Sequence, residues 1–507
     1  MTSKTANQSV KQKVTKSVSF VALSTFGILL LRSLFIPVLV RLTDVEEFGN
    51  YSVIMSMITI CIALFSFGTP TAIQKLVSES QKQGDAKVKE IIGASLGVSI
   101  ILSSGALLFF VNLTFIRIYF PPGIADLLAP AIWIVALSVL FENLRATFFA
   151  LHREEISETW RLVMYSIYFV FGTIVLLKGG GLSAVFQAYI AGLVFVIIFY
   201  LRATRRTLEI DLSFIVKGFK KFALRILTFG KWVTVGFVLV EILYQADILM
   251  VRYFKTVEEA AYYKAALVTA QFVWLVPRIL QDSLLPTVSE LWSRDRSQEV
   301  SILLSRGAKY IYLTTLLVGG VLFVFAEPFI DLYFDSEYLV AARPVKILMA
   351  GTLCFSLARI YSPLLQAANT LKVNVACVGG ATAANIALNL LLIPSYGIDG
   401  AATATSISYG LYFILITLFV EFKLKVSVIR EISIPRGLIL LLGYASLLVL
   451  IRKFSPTTSP VLLILAIIAS GVILLILALK THFIDKMDLT LLPKNGVVGK
   501  LVRFAGG

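Results

Sequence analysis

Charge is scarce in this sequence, histidine nearly absent and cysteine sparse. Only 15% of its 507 residues are Asp, Glu, Lys or Arg, against 58% hydrophobic. A soluble domain carries roughly 25% charged and 45–50% apolar residues, so a water-soluble globular fold is excluded on both counts. The two histidines, His152 and His482, lie far apart, and Cys61, Cys354 and Cys377 fall singly in apolar stretches. Neither a disulfide framework nor a paired-ligand metal site is indicated. A glycine-rich phosphate loop after a strand, HExxH and GxSxG are missing as well. With only short outer loops to carry chemistry, a membrane glycosyltransferase or polymerase is disfavoured. The expectation is a chain that is not an enzyme and needs no cofactor.

What the sequence has is hydrophobic length. It divides into about fourteen apolar blocks of the roughly 20 residues that cross a hydrocarbon core. The first lies near 18–40 and the last near 460–479. The block at 91–113, IIGASLGVSIILSSGALLFFVNL, holds no charge at all, and soluble core helices rarely run that long with apolar residues on every side. Lys4, Lys11, Lys13 and Lys16 precede the first block, which continues to Arg32 and Pro37 without a small-residue cleavage site. It reads as a retained first helix, not a signal peptide.

The net charge of +16 invites a nucleic-acid reading that the distribution of the charges refuses. Basic residues gather in alternate loops, most densely over 202–231. That is the positive-inside bias, and it places both termini in the cytoplasm of a cell-membrane protein. The basic excess then meets anionic lipid. Lys217, Lys220, Lys221 and Arg225 recur at helical spacing with Phe214, Phe222 and Ile226 between them, which predicts a short helix lying on the cytoplasmic leaflet.

The sequence also repeats itself. V-E-E-x-x-x-Y occurs at Val45–Tyr51 and again at Val257–Tyr263, and the turn at Gly181-Leu-Ser-Ala matches Gly397-Ile-Asp-Gly-Ala at nearly the same offset. Each unit holds six spans, so both copies keep one orientation, and the halves should be related by an axis along the membrane normal. The expected fold is an all-α integral membrane protein of about fourteen transmembrane helices. Two pseudo-symmetric six-helix lobes, at 18–201 and 228–420, are joined by a basic amphipathic linker at 202–227. Two lipid-facing helices follow within 434–479, and cytoplasmic segments at 1–17 and 480–507 complete the chain.

The run Asn385-x3-Asn389-x4-Pro394-x2-Gly397-Ile-x-Gly400-Ala-Ala resembles the signature of the polysaccharide flippases, in the multidrug/oligosaccharidyl-lipid/polysaccharide exporter superfamily. The stretches at 42–51 and 67–73 and the span count agree with it. The motif has a physical reading of its own. Pro394 ends a helix, Gly397 and Gly400 turn the chain, and Asn385 and Asn389 share one helix face for interhelical hydrogen bonds. The resemblance implies a flippase that carries a polyprenyl-pyrophosphate-linked oligosaccharide between leaflets by alternating access. It also implies partners among the glycosyltransferases and polymerase of the same pathway.

Ionisable residues inside spans are functional candidates. Glu142 with Arg145, and Arg278 with Asp282, have local partners at i,i+3 and i,i+4. Asp247 lies near the outer end of its helix, where it can face water. Arg32 and Arg359 have no carboxylate on their own helix faces, and an arginine at the bilayer centre costs at least about 2.5–3.5 kcal/mol. A pyrophosphate supplies the missing counter-charge, and a guanidinium fork matches its oxygens. Arg32, Arg359 and Arg278 are therefore the expected headgroup-binding residues, with Glu241 and Asp247 the candidates for ion coupling. In particular, Arg32 and Glu241 are expected to pair in the empty state. Two rival readings remain, a multidrug extruder of the same superfamily and a non-transporting scaffold of glycan assembly. The mid-depth charges, mostly arginine, do not suit a cation cavity.

Overall fold

The computed structural model describes residues 3–114, 122–208, 219–225, 230–428, 433–454, 460–481 and 483. Among them it is almost entirely helical, and it falls into two compact units, Met1–Leu249 and Met250–Gly507.

The first unit holds α1 (Ser3–Leu42), α2 (Val45–Ser66), α3 (Thr69–Ser80), α4 (Asp85–Thr114), α5 (Pro122–Ala150), α6 (Glu154–Leu177), α7 (Leu182–Leu208), α8 (Phe219–Arg225) and most of α9 (Lys231–Phe254). The second continues with α10 (Val257–Gln271), α11 (Leu275–Ser293), α12 (Ser297–Val324), α13 (Ala326–Tyr333), α14 (Ala342–Ala358), α15 (Ser362–Ala367), α16 (Leu371–Phe419), α17 (Ile434–Phe454) and α18 (Pro460–Lys480). Eleven helical stretches among the described residues are long and apolar enough to cross a membrane. One of these, 371–424, contains two expected spans separated by a non-helical Gly397. The expected span at 265–288 is a helix broken between α10 and α11 by a 3-10 turn at Phe272–Trp274. With α18, the architecture is the all-α membrane fold of about fourteen spans.

The repeated V-E-E-x-x-x-Y opens a helix in each unit. Asp44 caps α2 by accepting from the Glu47 amide at 2.7 Å, and Thr256 caps α10 by accepting from the Glu259 amide at 3.3 Å. The paired glutamates then lie in the first turn, where the helix dipole favours negative charge. Both tyrosines are buried and hydrogen-bonded within their own unit, Tyr51 to the Tyr168 hydroxyl at 3.0 Å and Tyr263 to Thr405 Oγ1 at 3.1 Å. The local motif therefore sets both a helix start and a tertiary contact.

Two expectations about surfaces are modified. Lys217, Phe214 and Ile226 lie outside the described residues, but α8 is in place, and its Phe222 is buried among Ile73, Leu76, Val77 and Ile92. This part of the linker docks on the protein, because an aromatic ring has a ready-made apolar groove there. The two C-terminal helices are likewise lipid-facing on one side only. Leu440, Tyr444 and Leu448 of α17 and Leu474 and Ala478 of α18 pack with Tyr312 and Leu316 of α12, and the Tyr312 hydroxyl donates to the Gly437 carbonyl at 2.7 Å.

Candidate functional site

In the first unit α1 lies tightly on α6. A Cβ at Gly27 would come within 3.2 Å of Leu162, and the Phe35 and Tyr168 rings are 4.7 Å apart. That packing brings the Arg32 guanidinium over the Tyr165 ring, 5.9 Å from its centroid. The phenols of Tyr51, Tyr165, Tyr168 and Tyr189 are its electrostatic neighbours. Arg32 is exposed at the middle of the span Leu23–Leu42, and an exposed guanidinium at that depth requires water, not lipid, around it. An aromatic face also attracts a cation without neutralising it, which leaves the charge available to an anion. Glu241 is half-buried on α9 of the same unit. Asp247, expected near water, is fully buried at 0% exposure.

A second cluster was only half legible. Glu142 and Arg145 form the expected local pair at 2.9 Å, but Arg145 also reaches Glu158 on α6 at 3.1 Å. Glu158 in turn holds Arg161 at 2.6 Å, and Arg161 donates to Thr25 Oγ1 on α1 at 3.0 Å. Glu158 is 1% exposed. This alternating chain ties three helices together and fixes the stretch of α1 that leads to Arg32.

In the second unit Arg359 opens a 3-10 turn between α14 and α15. Its guanidinium lies 5.5 Å from the Trp274 ring centroid and 5.2 Å from that of Phe355. Its Nη1 donates to Gln281 Oε1 at 3.3 Å. Arg278 and Asp282 are both exposed on α11, and Arg278 and Arg359 both act electrostatically on Asp282. Arg359 and Arg278 are thus brought together, and Arg359 gains from another helix the carboxylate its own helix face lacks.

The asparagine motif is buried. Asn389 Nδ2 donates to Asn385 Oδ1 at 3.1 Å, and Asn385 Nδ2 reaches Thr405 Oγ1 at 3.5 Å. Thr405 is the partner of Tyr263, so the two family motifs meet in one polar chain. The helix does not stop at Pro394. It continues to Gly397, whose φ of 55° and ψ of −134° break it, and a side chain at Gly400 would overlap the Leu392 carbonyl. The fixed φ of Pro394 is compatible with the helix it sits in; the glycine supplies the conformation that no helix contains.

The chain is similar to several known proteins. The probable low-salt glycan biosynthesis flippase Agl15 of Haloferax volcanii is 24% identical over 393 residues, covering 75% of this chain and 79% of that protein. The structure of the lipid II flippase MurJ in an inward closed conformation superposes with a TM-score of 0.68 at 17% identity, covering 91% of this chain and 99% of that one. An inward-facing multidrug-resistance MATE transporter of the MOP superfamily gives the same TM-score at 12% identity, covering 80% and 96%. These likenesses establish the fold and do not separate the two transport classes. The pattern that describes the polysaccharide biosynthesis protein family matches residues 14–292, and the chain belongs to that family.

Proposed function

We propose that this protein flips a polyprenyl-pyrophosphate-linked oligosaccharide from the cytoplasmic to the outer leaflet of the cell membrane by alternating access, with both termini in the cytoplasm. The observation that carries the proposal is that each unit keeps an arginine inside a membrane span on an aromatic platform, Arg32 over Tyr165 and Arg359 over Trp274 and Phe355. Each is a station for the anionic headgroup, and Arg278 adds to the second. A cation-exporting cavity would place carboxylates in those positions.

The membrane potential favours the same direction. With the interior negative, moving anionic charge outward gains up to about 2.3 kcal/mol per charge per 100 mV. Glu241 and Asp247, on one helix, are the groups on which ion coupling would act. The pairing expected between Arg32 and Glu241 is not the arrangement of the empty protein, in which the neighbours of Arg32 are the four phenols; the arriving pyrophosphate meets the arginine on that aromatic platform. The glycosyltransferases and polymerase of the pathway are the expected neighbours.

The test is transport by the purified protein in vesicles. A fluorescent pyrophosphate-linked glycan should become accessible on the opposite leaflet, while a lipophilic cationic dye should not accumulate. The reverse pattern identifies a multidrug extruder, and movement of neither points to a scaffold.

A further inference from the structure

Two helices of the second unit meet where each tightens into a 3-10 turn. Trp274 closes the 3-10 turn between α10 and α11, and Arg359 opens the one between α14 and α15. A 3-10 turn inside a longer helix often marks a functional position, because it tightens the regular ladder and re-aims the side chains around it. The residues gathered at this crossing are not those of a simple anion site. Beside Arg359 stand the Gln281 amide, its acceptor at 3.3 Å, and the Asp282 carboxylate, on which Arg278 and Arg359 act. Arg278 and Asp282 are exposed on one face of α11 at i,i+4. The aromatic wall behind them is continuous, with Trp274 and Phe355 centroids 5.2 Å apart, Trp274 and Tyr409 5.9 Å apart, and Phe355 and Tyr409 4.5 Å apart.

A pyrophosphate has no use for a carboxylate, which repels it. The first unit's station meets the anion requirement with an arginine among phenols. An exposed carboxylate, an amide and an indole face beside an arginine suit a different ligand, one with hydroxyl donors, hydroxyl acceptors and an apolar C–H face. A carboxylate accepts from two hydroxyls, an amide both donates and accepts, and an indole packs against C–H groups. Those are the features of a sugar ring. An exposed charge pair on a membrane helix is also a poor stabiliser, contributing about 0–1 kcal/mol, so fold stability alone gives Asp282 little reason to be there.

We infer that Trp274, Gln281 and Asp282 form a sugar subsite beside Arg359, which reads the saccharide joined directly to the pyrophosphate. Arg359 stands at the border, facing the proximal phosphate, with Arg278 one helical turn from Asp282 on the same face of the helix. The inference rests on the flippase reading above and adds to it the residues that select the glycan at its reducing end.

Equilibrium binding to the purified full-length protein in nanodiscs tests it. The ligands are polyprenyl pyrophosphate alone and the same lipid carrying one glucose, galactose or N-acetylglucosamine. Wild type should bind at least one sugar-bearing lipid about tenfold or more tightly than the bare lipid, as expected for hydrogen bonds to a charged group. Asp282→Asn and Gln281→Ala should each bring that ratio close to one, and Arg359→Ala should weaken all four lipids together. Because only ratios within one preparation are read, reduced yield of a variant does not alter the outcome. A wild type without preference for any sugar, or a preference retained in both variants, overturns the subsite and leaves the flippase reading intact. If the wild type binds none of the four lipids, the flippase reading itself fails.

Discussion

The backbone of Gly397 passes so close to Glu259 that a Cβ there would lie 2.9 Å from the carboxylate Oε2. One residue belongs to the glycine-rich turn and the other to the V-E-E motif, so the two sequence signatures are physically one contact in the second unit. Gly397 also holds a positive φ of 55°. Gly397→Ala should cost about 1–3 kcal/mol from backbone strain alone, with the contact adding to it. The variant should melt several degrees below wild type in detergent, while Gly410→Ala, where a Cβ meets nothing within 4 Å, should not. Equal melting temperatures would show that the turn has another conformation available.

Glu158 holds two arginines at once and is almost wholly buried. Removing one partner of a buried pair costs about 3–5 kcal/mol, because the remaining charge is left uncompensated. Glu158→Gln should therefore be strongly destabilising. Glu142→Gln, whose side chain is 33% exposed, should cost far less. Thermal unfolding of the two variants side by side checks the order.

These two cases mark what the sequence made legible. The i,i+4 spacing of Asn385 and Asn389 predicted a shared face and an interhelical bond, and Thr405 on the following segment is that bond's partner. Glycine at 397 announced a turn, although the proline before it drew the helix end too early. Glu158 gave no such signal. It sits where a loop meets a span, and its partners Arg145 and Arg161 could be recognised together only once α5 and α6 were packed. Trp274 and Gln281 went unnoticed for the same reason, since aromatic and amide residues in a span look like ordinary core. Phe222 lay among lysines in a pattern that fits lipid equally well, and only the groove formed by α3 and α4 decides its place.

Glu327, beyond the membrane end of α12, accepts from Lys346 at 2.5 Å and from Arg452 at 2.6 Å. Burial pushes its pKa up, but those hydrogen bonds outweigh burial and hold it below the ordinary 4.5. A depressed carboxylate pKa contributes stability that is present above the unfolded value and lost as pH falls through the folded one. Acidification below about pH 4.5 should therefore loosen the link from α17 to α13 and α14. Glu327→Gln should melt lower than wild type at neutral pH, and the difference should shrink on acidification. A constant difference across pH would assign the effect to packing.

Orientation follows from the alternation of basic loops. A reporter fused after Lys480 should be cytoplasmic, and one inserted between Glu327 and Arg343 should be external. Both on one side would mean an even number of spans between them, against the five expected.

Arg32 and Arg359 carry the central claim, and transbilayer movement of a pyrophosphate-linked glycan in vesicles tests it most directly. Arg32→Ala and Arg359→Ala should each abolish movement while the protein still folds and inserts at normal abundance. Lysine at either position should restore only part of it, because an ammonium keeps the charge and loses the two-pronged fork. Wild-type rates in both alanine variants would contradict the account.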